Sequence, residues 1–215
     1  MTAADRMAMH HARRATLLER LGPSSVAVFA STPVAIRNAD TEHPYRADSD
    51  LYYLTGLDEP DVVAVVTNAH PQHKFVLFVR PRDPERETWD GPRAGVEGAK
   101  EKFGADEAFP IAELGQKLHA YFENARRISY SAGRFPVNDE RVFSALSLAR
   151  RRQRFGHFVP SDMVDPAASL HAMRLVKQAP ELDSLRAAIE ATREGHAIAM
   201  RVARPGVFEH DVEAE

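Results

Sequence analysis

Asp61-Val-Val-Ala-Val-Val-Thr67, the polar Asn68-Ala-His-Pro-Gln-His73, then Lys74-Phe-Val-Leu-Phe-Val79: two short β-branched or aromatic runs stand six polar-rich residues apart. Runs of this length, bounded by Pro, Asn and His, read as strands joined by a hairpin connection. Upstream, Ser25–Ser31 (SVAVFAS) has the same character. Before it, Met9, Ala12, Leu17, Leu18 and Leu21 recur at roughly helical spacing within Asp5–Leu21, with Gly22-Pro23 as the stop signal. Downstream, Val96–Phe103, Ile111–Asn124 and Asn138–Arg152 read as helices, and Arg127–Ala132 (RISYSA) as a strand between the last two. Such alternation predicts an α/β (α+β-like) layer domain, a mixed β-sheet flanked by helices.

After about Val159 the pattern becomes purely helical. Asp165-Pro166 supplies an N-cap with proline at the first helical position, opening a helix over Ala167–Val176; Ala179-Pro180 opens a longer one to about Ala203. On the latter, Leu182, Leu185, Ile189, His196, Met200 and Ala203 share a face for which the sequence offers no partner, so self-association is expected. Arg204-Pro205-Gly206 ends it. The division falls near residues 160–176, giving a domain over 1–165 and a helical segment over 166–215.

Lys and Arg number 28 against 31 Asp and Glu, a formal charge of -3, which argues against a protein that binds by neutralising many phosphates. No cysteine is present, which removes disulfides, thiolate nucleophiles and Cys-based metal sites and suits a reducing compartment, the cytoplasm. The first 21 residues carry charges throughout and form no signal-peptide core, and no run approaches a membrane span. Neither nucleic acid nor membrane is an expected partner.

Chemistry is sparse. No G-x-S-x-G, H-E-x-x-H, phosphate loop or dinucleotide pattern occurs, and Gly91 and Gly95 read as a loop entering a helix. His210 and Glu213, three apart, give at most half a metal site, and acidic residues in a helix's first turn are favoured by the dipole alone. His10-His11 sits on an arginine-rich helix and reads as solvated, as does the run Arg150–Arg154 at a helix end. Trp89, the single tryptophan, lies in Glu87-Thr88-Trp89-Asp90-Gly91, read as a polar loop; it is either an interface or substrate contact or a loop anchor. A charged loop, Arg37–Asp50, feeds Leu51–Gly56, read as a half-buried strand, and is a natural place to mount binding groups.

The stretch Arg37–Gly56, with Asp40, Glu42, Pro44-Tyr45-Arg46, Ser49-Asp50 and Thr55-Gly56, resembles the amino-terminal domain of bacterial-type aminopeptidase P. Val76-Leu77-Phe78, Glu87–Gly91, Met173-Arg174-Leu175-Val176-Lys177 with Glu181, and Arg204–Glu209 extend the likeness over nearly the whole chain. The Met-Arg-Leu-x-Lys helix is shared more widely, with prolidases and their relatives. The resemblance implies a creatinase/prolidase-type amino domain followed by the first helices of an incomplete "pita-bread" catalytic domain. It implies two manganese ions and hydrolysis of peptides with proline second, in a homo-oligomer, dimer or tetramer. The family's metal ligands lie downstream of the Arg-Pro-Gly segment, so this chain is expected to hold none and to be inactive alone. Trp89 matches a tryptophan that faces a neighbouring subunit's active site; Asp40, and one of Arg151, Arg152 or Arg154, with Arg152 taken here, are implied to help shape that pocket. A non-catalytic assembly module of the same fold and a prolidase-like dipeptidase are the competing readings.

Overall fold

The computed structural model describes residues 2–215. From the N-terminus, α1 (Ala3–Leu21) leads into β1 (Ser25–Ala30), a small hairpin of β2 (Ile36–Asn38) and β3 (Thr41–Glu42), α2 (Ser49–Thr55), β4 (Val63–Thr67) and β5 (Phe75–Val79). Then come α3 (Pro84–Asp90), α4 (Gly95–Glu101), β6 (Glu107–Pro110), α5 (Leu114–Lys117) between two 3₁₀ turns, β7 (Arg127–Ser129) and α6 (Pro136–Arg152). A 3₁₀ turn (Gln153–Phe155), β8 (Asp162–Val164), α7 (Ala167–Leu175), α8 (Ala179–Val202) and α9 (Glu209–Ala214) complete the chain. It divides into two compact units, the first ending at His171 and the second beginning at Ala172.

In the first unit six strands run in the order β6-β5-β4-β1-β7-β8. β4 pairs antiparallel with β1 and β5; β5–β6, β1–β7 and β7–β8 are parallel, so the sheet is mixed as expected. Every residue of β4 and β5 is buried, which is why these strands are apolar without alternation: the sheet is covered on both faces. Val28, Val65 and Val76 lie side by side across three strands, on one face, with Leu118, Phe122, Val142 and Leu146 in the same core. Leu17, Leu51 and Leu54, all fully buried, belong to α1 and α2, which pack on one another and on β1 and β4. The β4–β5 connection is the expected hairpin.

Several local readings are corrected. Leu51–Gly56 is not a strand but most of α2. Asp48 accepts hydrogen bonds from the amides of Asp50 (3.0 Å) and Leu51 (2.9 Å), and Gly56, left-handed at φ 73°, closes the helix. Trp89 is not in a loop either: Asp83 caps α3 through the Arg86 amide (3.2 Å), with Pro84 at its start. The segment Ile111–Asn124 is a succession of 3₁₀ and α turns, although its apolar positions Leu114, Leu118, Tyr121 and Phe122 face the core as helical spacing requires. The short strands β2, β3, β6 and β8 carry no β-branched run and had no signal in the sequence.

His10 is not solvated; it is 7% exposed, and Arg13 and Arg14 are buried beside it. The reason lies 40 residues away. The last carbonyls of a helix have no partner within it, and here the Tyr53 carbonyl accepts from Arg13 Nη1 (3.1 Å) and lies 3.0 Å from His10 Nδ1, while Leu54 accepts from Arg14 Nη1 (2.8 Å). Cations at that end also complement the dipole. Arg13 stacks on Tyr53 and Arg14 on Phe75, 4.0 and 3.8 Å from the ring centroids. Burial brings the Arg14 guanidinium down to about 10, still cationic at neutral pH.

Burial, and after it the neighbouring cations, lowers the affinity of His10 for a proton, against the pull of the Tyr53 carbonyl. His70 and His119 shift the same way, burial again leading. Their folded values therefore lie below the unfolded one, near 6.5. The unfolded chain takes up protons first, so stability is intact above about pH 6.5 and is lost as pH falls through the window beneath it. For His10 alone the slope reaches at most about 1.4 kcal/mol per pH unit. Urea midpoints measured at pH 7.5, 6.5 and 5.5 should fall in that order, and a His10→Gln chain should show a shallower fall; equal slopes would remove His10 from the account.

In the second unit α8 starts at the expected Ala179. Its Gln178 amide donates to Glu181 (2.9 Å), and the helix ends at Val202, with Ala203 extended. No residue of α8 is buried, and Ile189 and Met200 are 65% and 77% exposed.

Candidate functional site

Four places in the first unit carry the polar side chains that the sequence or the structure singles out. Trp89 stands on α3 at 88% exposure. The helix beneath it is braced: Arg82 grips Glu87 in a bidentate pair (2.7 and 2.8 Å), and Thr88 Oγ1 donates to the Pro84 carbonyl (3.1 Å). Arg82 holds the Glu87 carboxyl below the usual carboxylate range. The arginine stem passes so near Gly95, at φ 65°, that a Cβ there would sit 2.6 Å from Arg82 Cγ. A large apolar ring on a short, braced helix is a pre-organised contact surface.

Asp40 lies at the tip of the β2–β3 hairpin, exposed, beside Ala39 at φ 48°; the hairpin pairs Ile36 with Glu42 and Asn38 with Thr41. Arg152 closes α6, and its Nε donates to Glu123 Oε1 at 2.7 Å. No hydrogen bond, ion pair or ring contact joins any two of Trp89, Asp40 and Arg152.

A crevice that the sequence did not reveal lies where β1 and β7 end, lined by Asp48, Asp50, Tyr130, Ser131, Arg134 and Asn138 among others. Parallel strand ends are a common place for ligands in layered α/β sheets. This one holds about 30 Å³, room for roughly one water. Its polar groups serve each other: Arg134 Nη1 is 2.6 Å from Asp48 Oδ2, Tyr130 donates to Asp139 (2.8 Å), and Asn138 donates to the Ser31 carbonyl (3.3 Å). Burial and the Asp139 carboxylate push the Tyr130 phenol well above its ordinary range. It is a joint between α2, β7 and α6 rather than a receptor. Asp48, ahead of Ser49-Asp50 and an apolar run, is an N-cap signal readable from sequence; Arg134 and Glu123 gave none.

Among the described residues no group of three or more His, Asp or Glu side chains could hold a metal ion. His210 and Glu213 do lie on one helix, α9, with no third ligand, and His210 is 3.5 Å from Asp211. No helix among them is long and apolar enough to cross a membrane.

Residues 10–129 match the family described as "Aminopeptidase P, N-terminal domain". The chain is 38% identical to the Xaa-Pro aminopeptidase of Escherichia coli (strain K12) over 94% of its own length and 46% of that protein's, and 30% identical to that of Haemophilus influenzae over 94% and 45%. Among solved structures, Pseudomonas aeruginosa aminopeptidase PepP superposes with a TM-score of 0.91 at 39% identity, covering 100% of this chain and 48% of that one. Aminopeptidase P from E. coli with the inhibitor Pro-Leu gives 0.89 at 36%, over 97% and 47%. The chain thus spans about half the length of the curated relatives it matches.

Proposed function

The chain belongs to the aminopeptidase P family, and from that membership we propose that it is the amino-terminal portion of a manganese-dependent Xaa-Pro aminopeptidase. The observation that carries this is one of extent: the likeness runs over 94% of this chain yet takes in only 46% of the E. coli relative. The complete enzyme releases an N-terminal residue that precedes proline, in the cytoplasm. The described residues do not fit the two manganese ions. Their part is assembly into a homo-oligomer and the shaping of a substrate pocket, with Trp89, Asp40 and Arg152 offered to a neighbouring subunit. Trp89, at 88%, is the most exposed large hydrophobic side chain among the described residues, and tryptophan is enriched where interfaces concentrate their binding energy.

The test is Xaa-Pro peptide hydrolysis with added manganese, on this chain and on the product of the uninterrupted reading frame. Activity is expected only in the longer product; manganese-dependent turnover by the 215 residues alone would overturn the proposal. In the longer product Trp89→Ala should lower kcat/KM by about tenfold or more without changing metal content, and unchanged kinetics would remove Trp89 from the pocket.

A further inference from the structure

The connection between β4 and β5 is closed by a histidine side chain as well as by backbone. The Thr67 amide donates to the Lys74 carbonyl at 2.8 Å. Within that closure His70 Nδ1 accepts from the His73 amide at 3.0 Å and from the Gln72 amide at 3.4 Å. A backbone amide can only donate, so Nδ1 is bare and the neutral ring carries its hydrogen on Nε2. The ring does what an asparagine side chain does in an Asx-turn, except that its accepting atom titrates. The next proton can bind only at Nδ1, where it would point at two N–H groups.

The surroundings oppose that proton too. The His73 ring stacks on His70 with centroids 4.8 Å apart, and the ring of Tyr121, from the 3₁₀ turn after α5, lies 5.0 Å from it. Lys74 Nζ donates to the His70 carbonyl (3.4 Å). The carboxylates nearby are engaged: Asp106 accepts from the amides of Lys74 and Phe75 (2.6 and 2.9 Å), and Glu107 on β6 pairs with Lys100. Burial, then the charges of His73 and Lys74, lowers the affinity of His70 for a proton. His73 differs, because its Nδ1 lies 3.2 Å from the Tyr121 hydroxyl, which can donate or accept, so that contact survives protonation.

We propose that the β4–β5 turn is a proton-operated latch: protonation of His70 at Nδ1 expels the amides of Gln72 and His73 and opens residues 69–73 while the two strands stay paired. Opening stops at Asn68, whose side chain accepts from the Ser25 amide (2.8 Å) and donates to the Gly22 carbonyl (2.9 Å). In the open turn His70 regains its ordinary value near 6.5 and takes up the proton first. The latch is therefore closed above about pH 6.5 and opens as pH falls beneath it.

The experiment follows hydrogen exchange of the His73 amide in the full chain at pH 7.5 and 5.5, corrected for the intrinsic pH dependence of exchange, beside the amides of β4 and β5. Protection of the His73 amide should fall about tenfold, the worth of one hydrogen bond, and that of the strands should hold. His70→Asn, which keeps an accepting oxygen that does not titrate, should abolish the fall, and His73→Gln should keep it. Nitrogen NMR of the His70 ring in the unsubstituted chain should show the Nε2–H tautomer at pH 7.5. Equal protection at both pH values, a fall that persists in His70→Asn or vanishes in His73→Gln, a fall shared equally by β4 and β5, or an Nδ1–H tautomer would each overturn the proposal.

Discussion

Replacing Gly56 by alanine is expected to destabilise the first unit by about 3 kcal/mol, from two separable causes. Gly56 sits at φ 73° behind α2, and a non-glycine residue there costs about 1 to 2 kcal/mol. The added methyl carbon would also lie 2.6 Å from His10 Nε2. That ring cannot step aside cheaply, because it is buried and its other nitrogen lies 3.0 Å from the Tyr53 carbonyl. Forcing extra volume into such a contact costs about 1 to 3 kcal/mol more. Gly156 is the control, left-handed at φ 93° with nothing within 4 Å of its missing Cβ. Gly156→Ala should show only the backbone part. In a His10→Ala background the Gly56→Ala penalty should shrink toward the Gly156→Ala value, since the two positions are in contact and the steric part is shared. Equal urea midpoints for Gly56→Ala and Gly156→Ala would show that the His10 contact is slack.

Asp48→Ala should cost a comparable 2 to 3 kcal/mol, roughly, whereas Asp48→Asn should cost about 1. Asp48 is 3% exposed and caps α2 through two amides. Losing a cap costs about 0.5 to 2 kcal/mol, and the amide of Leu51, itself buried, is left without a partner. The ion pair with Arg134 adds less than its 2.6 Å suggests, because the arginine side chain is 50% exposed and solvent screens the pair. Asparagine keeps the accepting oxygen and loses only the charge. Denaturant titration of the three proteins tests this order, and an Asp48→Ala chain within about 0.5 kcal/mol of the parent would refute it.

The sheet's centre was legible because β4 and β5 are dense in β-branched and aromatic residues and too short to be helices. α2 was not: Leu51-Tyr52-Tyr53-Leu54-Thr55 is five residues of strand-like composition, and a window so short cannot distinguish the two periods. What decides it is the cap at Asp48 and the glycine at 56. The inner face of α1 was hidden for another reason. Composition places His10, Arg13 and Arg14 outside, and only the carbonyls of Tyr53 and Leu54, 40 residues on, draw them in. Trp89 was noticed for its chemistry and misplaced in a loop, since Asp83-Pro84 ahead of a charged run gives no apolar stripe to mark a helix. For Trp89, Asp40 and Arg152 the sequence could say little, because no hydrogen bond, ion pair or ring contact joins any two of them.

The order of the sheet also bears on solubility. Its most apolar strands, β5, β4 and β1, are interior, and the two edges fall to β6 and β8. An open edge is a template for aggregation, blunted by shortness, charge and proline. β8 is three residues opening on an aspartate, and β6 runs from Glu107 to Pro110, whose nitrogen has no hydrogen to offer an incoming chain. Phe75–Val79, a five-residue run without charge, proline or glycine, is what β6 shields. Fraying of β6 would expose a segment of this unit prone to stack on its own kind.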